Sequence, residues 1–136
     1  MNLIGTFEGW VPTATDLYLR GKSLVSFSKY SNYDYPVFDS GQITINTTGY
    51  SAVQTSVNLT GYSHVNFEIY KTGTYGDAAI SLGIANDVTR WAKVDLNSTL
   101  NTIQTVSITL GTLAINGTFS IEFRYWRGAV YRIWLS

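Results

Sequence analysis

The chain has 136 residues, of which 45% are hydrophobic, nine are basic, nine are acidic and none is cysteine. This length fits one domain that can bury a sizeable core. The balanced charge leaves no clustered basic field, so neither nucleic acid nor an anionic membrane is an expected partner. Without cysteine, disulfides and thiolate metal sites are excluded.

The start of the chain lacks the features of a secretion signal. Met1 to Gly5 shows neither a basic beginning nor a long apolar run. No apolar stretch approaches the roughly 20 residues that cross a bilayer. We therefore expect synthesis in a cytoplasm, although the protein need not stay there.

Alternation of apolar and polar residues recurs along the chain, and helical periodicity is almost absent. In chain order, the predicted strands are Leu17–Arg20, Leu24–Phe27, Gln42–Asn46, Ala52–Val57, Ser63–Tyr70, Ala78–Ala85, Trp91–Leu96, Thr102–Leu110, Thr118–Trp126 and Val130–Leu135. Many short strands separated by Gly, Asn, Asp and Thr favour two antiparallel sheets packed face to face. The predicted fold is a single all-β sandwich domain over residues 1–136, of jelly-roll type, with an immunoglobulin-like sandwich as the alternative.

The stretch "KYSNYDYP" (Lys29–Pro36) places three tyrosines in a predicted loop. Tyrosine offers a large contact area with only two side-chain torsions to order, and its hydroxyl can bond to a sugar. Pro36 restricts Tyr35 to extended backbone geometry, which stiffens the loop. We predict that Tyr30, Tyr33, Asp34 and Tyr35 contact a ligand. The alternative is that Phe38 and one or two of the tyrosines close the open end of the sandwich.

A second candidate surface comes from the outward positions of the late strands. Strict alternation predicts that Glu122, Arg124 and Trp126 point outward, as does Trp134 of the last strand. If these strands share a sheet, the small residues Ser81, Gly83 and Ala85 lie beside them and leave a trough. Sugars stack on aromatic rings and exchange hydrogen bonds with Arg and Glu. The predicted binding residues are Tyr30, Tyr33, Asp34, Tyr35, Glu122, Arg124, Trp126 and Trp134.

The same surface has other interpretations. Trp126 and Trp134 could instead cover the sheet edge or pack against another copy of the protein, because aromatic and arginine enrichment is equally typical of a contact between protein subunits. Glu68 and Glu122 occur in similar contexts and could form the two-carboxylate pair of a glycosidase, although salt bridges would also explain them. We expect a non-catalytic protein, with no catalytic residue assigned.

No cofactor is expected, and the sequence assigns no metal ligand. A single histidine and no cysteine make a transition-metal site improbable. Asp77, Asp87 and Asp95 lie near predicted strand ends, and Asn86–Thr89 could lend oxygens to calcium. Calcium therefore remains an open alternative.

Four segments together resemble a known family. The segment "SVNLTGYSHVNFEIYKTG" (Ser56–Gly73) resembles the "DLTGYSKVxV" strand–turn–strand of jelly-roll accessory domains in tail and baseplate proteins of phages that infect Gram-positive bacteria. "FEGWVPTATDLYLRGKSLVSFS" (Phe7–Ser28) is similar to the opening of those domains, except that Glu8 and Gly9 precede Trp10 where two glycines are usual. "TIQTVSITLGTLAINGTFSIEFRYW" (Thr102–Trp126) and "VYRIWLS" (Val130–Ser136) resemble their late strands.

The resemblance implies a sandwich like that of carbohydrate-binding modules. Such domains serve as accessory adhesion modules on host-surface polysaccharide or as virion building blocks, and the resemblance implies no particular binding residues. We therefore expect a virion module that binds host cell-wall or capsular polysaccharide and contacts other virion proteins. Several copies on one particle would supply avidity. The alternatives are a structural or decoration subunit whose aromatic face forms a homo-oligomer contact and, third, a glycan-cleaving enzyme.

Overall fold

The computed structural model describes residues 11–87 and 89–136 of the chain. Its strands are β1 (Asp16–Leu19), β2 (Lys22–Ser23), β3 (Ser28–Lys29), β4 (Val37–Phe38), β5 (Ile43–Asn46), β6 (Tyr50–Asn58), β7 (His64–Ile84), β8 (Trp91–Asp95), β9 (Ile103–Thr109) and β10 (Asn116–Leu135). A 3₁₀ turn covers Gly111–Leu113. The motif around Trp10 lies outside the described residues. Within those residues, no helix is long and apolar enough to cross a membrane.

The two long strands, β7 and β10, organise the molecule. They pair antiparallel from Phe119 opposite Ile84 to Leu135 opposite Val65. Residues 116–124 of β10 also pair with β6, and β3 and β8 extend this first half-sheet. Residues 127–134 of β10 pair with β5 and β1, and β2, β4 and β9 complete the second half-sheet. Each long strand therefore belongs to both half-sheets.

One apolar core lies between the half-sheets. The first half-sheet supplies Val53, Ile80, Leu82, Phe119, Ile121 and Phe123, and the second supplies Ile43, Val65, Phe67, Ile69, Ile108, Val130 and Ile133. These side chains are at most 3% exposed. The alternation seen in the sequence places them there, because successive side chains of a strand point to opposite faces of a sheet.

The order in which the chain visits the half-sheets identifies the sandwich type. The chain crosses between them from β2 to β3, from β3 to β4, from β5 to β6, from β6 to β7, within β7, from β8 to β9, from β9 to β10 and within β10. A jelly roll has this alternation between two antiparallel sheets. The predicted all-β, jelly-roll sandwich is confirmed.

The predicted strands are wrong in two respects: one of them is not a strand, and two pairs of them are each a single continuous strand. Leu24–Phe27 is not a strand, because the short pairings of β2 and β3 flank it instead. The segments predicted as Ser63–Tyr70 and Ala78–Ala85 are one strand, β7, and the last two predicted strands are likewise one strand, β10. The Gly and polar residues that indicated breaks lie where β7 and β10 continue through register shifts.

The largest of these corrections concerns Trp126. The backbone of Tyr125 has a φ of 59°, and the pairing of β10 with β7 shifts register between Arg124 and Trp126. Such an irregularity inserts one residue and inverts the alternation beyond it. Trp126 is consequently 0% exposed and packs against Phe123 with a centroid distance of 6.1 Å. The prediction that Trp126 lies on the surface is wrong.

A buried lysine holds the connection between β8 and β9. Lys71 is 0% exposed, and its Nζ donates hydrogen bonds to the main-chain oxygen and to Oδ1 of Asn97. Its own main-chain oxygen accepts a hydrogen bond from the Asn101 N–H at 2.8 Å. Burial lowers the pKa of the Lys71 ammonium from its usual 10.5, because desolvation disfavours the charged form.

The lowered pKa of Lys71 predicts a pH-dependent stability difference. The folded state releases the proton more readily than the unfolded state, so folding gains stability as pH rises from the folded pKa towards 10.5. We expect the free energy of unfolding of the wild type to increase with pH relative to Lys71→Met over this window. Urea unfolding of both proteins at pH 7.5 and pH 10 measures the difference. Both proteins contain the same tyrosines, so the effect of tyrosine titration on the free energy of unfolding cancels in the comparison. A difference that does not change with pH would contradict the prediction.

Candidate functional site: an aromatic cleft on the first half-sheet

A cleft of about 280 Å³ lies on the outer face of the first half-sheet. Its floor consists of small and polar side chains from the centre of the sheet. Ser120 and Glu122 come from β10, and Ser81 and Gly83 lie directly opposite them on β7. A Cβ on Gly83 would lie 3.2 Å from Cβ of Trp91 and 3.7 Å from Oγ of Ser120, so glycine keeps the floor low beside the indole. The trough of small residues predicted from the sequence is therefore present at Ser81 and Gly83.

Aromatic side chains form the walls of the cleft. Tyr30 and Tyr33 come from the loop between β3 and β4, Tyr50 begins β6 and Trp91 begins β8. The ring centroids of Tyr30 and Tyr33 are 5.3 Å apart, and Tyr33 stacks on Tyr50 at 6.0 Å with an interplanar angle of 20°. Tyr50 and Trp91 remain 41% and 50% exposed. The exposed parts of these two rings border the cleft and can contact a ligand.

Hydrogen bonds hold the tyrosine loop against the sheet. The main-chain oxygen of Asp34 accepts hydrogen bonds from the Ala52 N–H at 2.8 Å and from the Ser51 hydroxyl at 3.1 Å. The Asn86 N–H donates to the Tyr30 hydroxyl oxygen at 3.4 Å, which links the loop to the turn after β7. Because the loop is attached on both sides, its rings are positioned before a ligand arrives.

Glu122 is the polar centre of the cleft. Its Oε1 accepts hydrogen bonds from Nε and a terminal nitrogen of Arg124, at 3.2 and 2.9 Å, and from the Ser81 hydroxyl at 3.3 Å. Burial raises the pKa of Tyr33, and the nearby Glu122 carboxylate raises it further. The Tyr33 hydroxyl therefore stays protonated and donating at neutral pH.

Arg124 lies between two of the aromatic walls. Its Cζ is 5.1 Å from the centroid of the Tyr50 ring and 5.4 Å from that of Trp91. Cation–π contacts of this kind hold a guanidinium in place while its remaining N–H groups can still donate. Only 22% of the Arg124 side chain and 14% of the Glu122 side chain are exposed. The ion pair is thus partly shielded from water.

A second depression, of about 460 Å³, adjoins the cleft. Tyr33 and Tyr50 line both, so their stacked rings form a ridge between them. Asn32, Asp34, Gly49 and Tyr125 complete the second depression. Tyr125 packs edge-on against Tyr50 with a centroid distance of 5.6 Å.

The structure thus brings Tyr30, Tyr33, Glu122 and Arg124 together, and it places Asp34 in the adjoining depression. The other predicted binding residues lie elsewhere. Tyr35 stacks on Phe38 at 5.4 Å and its hydroxyl donates to the main-chain oxygen of Phe27, so this part of the loop covers the end of the core. Trp134 is partly exposed on the second half-sheet, where the Arg132 guanidinium lies 4.4 Å from its ring. Trp126 is inside the core.

Two aromatic residues that line the cleft, Tyr50 and Trp91, were not predicted as binding residues, and Asp87 was considered only as a possible calcium ligand. Trp91 occupied the first position of a predicted strand, and Gly83 lies opposite it in the β7–β8 pair. Pairing these two segments as a hairpin would have placed the indole beside the trough. Tyr50 lies in the sequence "TGYS", which occurs at Thr48–Ser51 and again at Thr60–Ser63. These are common turn residues, so the sequence predicts a turn there and not a binding position.

The geometry also bears on the enzyme and metal alternatives. Glu68 is on the second half-sheet, where its Oε1 forms an ion pair with Arg20 at 2.9 Å. Glu68 and Glu122 therefore do not face one cleft. Asp87 lines the cleft, and its Oδ1 accepts hydrogen bonds from the main-chain N–H and the hydroxyl of Thr89, which lower its pKa. Within residues 11–87 and 89–136, no three His, Cys, Asp or Glu side chains form a group that could hold a metal ion.

Comparison with known proteins finds remote structural similarity. No protein-family model and no curated protein sequence matches the chain. The family 35 carbohydrate-binding module of Paenibacillus barcinonensis is 14% identical with a TM-score of 0.41, and the match covers 82% of this chain and 90% of that module. A cycloisomaltooligosaccharide glucanotransferase of Paenibacillus sp., solved with cycloisomaltoheptaose, is 13% identical with a TM-score of 0.43. That match covers 91% of this chain and 18% of the enzyme. Similarity at this level does not identify a ligand.

Proposed function

We propose that the protein is a non-catalytic saccharide-binding module and that the cleft on the first half-sheet is its binding site. The observation that carries the proposal is the arrangement around the floor of Ser81, Gly83 and Ser120. The exposed rings of Trp91 and Tyr50 border this floor, and the Glu122 and Arg124 side chains supply hydrogen-bonding groups to it. A pyranose ring offers C–H faces for stacking and hydroxyls for hydrogen bonding, so it matches both features of the cleft.

The charge of the cleft favours an uncharged sugar. Among its described lining residues, Glu122 and Asp87 are acidic and Arg124 is basic. The one guanidinium is already paired with Glu122 at 2.9 Å. A uronate or phosphate group would meet the remaining carboxylate without a free cation to compensate, which is unfavourable. Neutral polysaccharides are therefore the proposed ligands, in preference to teichoic acids or polyuronates.

We further propose that the module acts on a phage virion, where it binds cell-wall or capsular polysaccharide of the host. This setting rests on the sequence resemblance to tail and baseplate domains. A shallow cleft of this size gives weak binding to a single site, which several copies on one particle would strengthen. Neighbouring virion proteins are the expected partners.

The proposed function is tested by retention on immobilised polysaccharides. The panel contains neutral glucans, galactans, mannans and extracted neutral wall polysaccharides, together with lipoteichoic acid and polygalacturonate. We expect retention on at least one neutral polymer and none on the anionic polymers. Trp91→Ala should weaken that retention about 30-fold or more, because an exposed indole above a hydrogen-bonding floor is a typical binding hot spot.

Trp134→Ala is the matched control. It removes a second partly exposed indole, on the half-sheet that carries no part of the cleft. We expect unchanged retention for this variant. Failure of the wild type to bind any neutral polymer, or equal losses in both variants, would overturn the proposed site.

The position of Trp126 removes one of the two residues predicted to form a contact between subunits. This residue is enclosed by its own chain and cannot contact a second copy, which leaves Trp134 of the two predicted contacts. Light scattering during gel filtration distinguishes the alternatives. A stable oligomer that Trp134→Ala dissociates, together with no polysaccharide retention, would favour the structural subunit.

A further inference from the structure

We infer that the binding site takes a run of consecutive sugar units that crosses the Tyr33–Tyr50 ridge. One part of the run occupies the cleft, and the next part occupies the second depression beside Tyr125. This inference rests on the proposed function and names the form of its ligand, an internal stretch of an oligosaccharide chain. A single terminal sugar would use the cleft alone.

The first argument is the continuity of the two depressions. They share two walls, because the paired rings of Tyr33 and Tyr50 line both. The cleft alone, at about 280 Å³, is slightly smaller than the roughly 300–1,000 Å³ that small-molecule sites occupy. A ligand longer than a short saccharide must therefore extend past its rim. The exposed edge of Tyr50 leads into the neighbouring depression of about 460 Å³.

The second argument is the chemistry of the second depression, which repeats that of the cleft. Tyr125 supplies a ring beside Tyr50, and Asn32 and Asp34 supply an amide and a carboxylate. Gly49 leaves the floor open, since a Cβ built there would meet nothing within 4 Å. An aromatic wall with hydrogen-bonding groups at its foot suits a second sugar unit as it does the first.

The third argument is the backbone at Tyr125. Its φ of 59° is in the left-handed region, which is unfavourable for a residue with a β-carbon and is concentrated at functional sites. This conformation turns the Tyr125 side chain outward, where strict alternation would bury it. Its N–H donates to the Gly49 main-chain oxygen at 2.9 Å, which joins the strand to the turn that carries Tyr50. The irregularity of β10 thus adds a tyrosine to the second depression, next to Tyr50 of the ridge.

The inference is tested by the dependence of affinity on chain length. The probes are oligosaccharides of one to six units, cut from the neutral polysaccharide that the panel retains, with affinities measured by calorimetry. We expect affinity to rise beyond the length that fills the cleft. Tyr125→Ala should weaken binding of the hexasaccharide about tenfold and leave that of the shortest binding oligosaccharide unchanged. Trp91→Ala should weaken both.

Two controls keep the result interpretable. Tyr70→Ala removes a partly buried tyrosine from the second half-sheet and should alter neither affinity. Asn32→Ala tests the second depression at a surface loop position if Tyr125→Ala unfolds, and it should reproduce the selective loss for the long oligosaccharide. An affinity that does not increase with length, or a Tyr125→Ala effect equal at all lengths, would overturn the inference and leave the proposed function intact. Absence of binding at every length would overturn both.

Discussion

Replacing Trp126 by alanine is expected to lower the free energy of unfolding by about 3–5 kcal/mol. The indole is 0% exposed and is the largest fully buried side chain of the described residues. It lies where β10 passes from the first half-sheet to the second, so its removal opens a cavity between the two sheets. A cavity of that size cannot close without moving both long strands. Chemical denaturation with urea measures the loss.

Trp126→Phe provides the matched control for this cavity. The Nε1 atom of Trp126 is buried and has no hydrogen-bond partner among the described residues. Phenylalanine removes that unsatisfied N–H, which favours folding, and it loses only part of the buried aromatic ring, which disfavours folding. The two effects on the free energy of unfolding therefore partly offset each other. We expect Trp126→Phe to cost much less than Trp126→Ala. A loss below about 1 kcal/mol for the alanine variant would contradict the enclosed position of the indole.

Gly128→Ala is the second substitution for which we expect a large loss of stability. A Cβ at this position would lie 1.9 Å from the main-chain oxygen of Tyr70 and 2.9 Å from Cα of Lys71. Both obstacles are backbone atoms of β7, and the φ of 151° is one that L side chains rarely adopt. The long strands must separate or the backbone must rotate to admit the methyl group. We expect a loss of about 3 kcal/mol or more.

Gly41→Ala is the comparison that isolates this steric effect. Nothing lies within 4 Å of a Cβ built on Gly41, so its stability should change by less than about 0.5 kcal/mol. Thermal and urea unfolding of both variants provide the measurement. Equal stability of Gly128→Ala and the wild type would show that β7 and β10 do not approach this closely.

The loop that contains "KYSNYDYP" shows how far the roles of its tyrosines could be predicted from the sequence. Tyrosines at this density predicted either a binding surface or a cover for the end of the core. Both occur in the same loop: Tyr30 and Tyr33 line the cleft, whereas Tyr35 stacks on Phe38. The division depends on the attachment of Asp34 to β6, which is a contact between segments 17 residues apart. Local sequence cannot specify such a pairing.

Trp91 and Trp126 also show that local sequence does not predict which face of a sheet carries an aromatic ring. Alternation assigned Trp126 to the surface, and one left-handed residue before it reversed that assignment. Trp91 was predicted only as the first residue of a strand, yet the β7–β8 pairing places it beside Gly83 at the rim of the cleft. In each case a single local irregularity or pairing decides which face of the sheet carries the ring.

The sequence by itself determined the fold class and most of the core. Alternation is a local property, and burial of one side of each strand follows from it wherever the strand stays regular. Only the tertiary structure decided which strands merge, where the register shifts and which aromatic rings face one cleft. Those outcomes depend on backbone pairing between segments far apart in the chain, whose free energy is summed over the whole sheet and is not encoded in any short stretch.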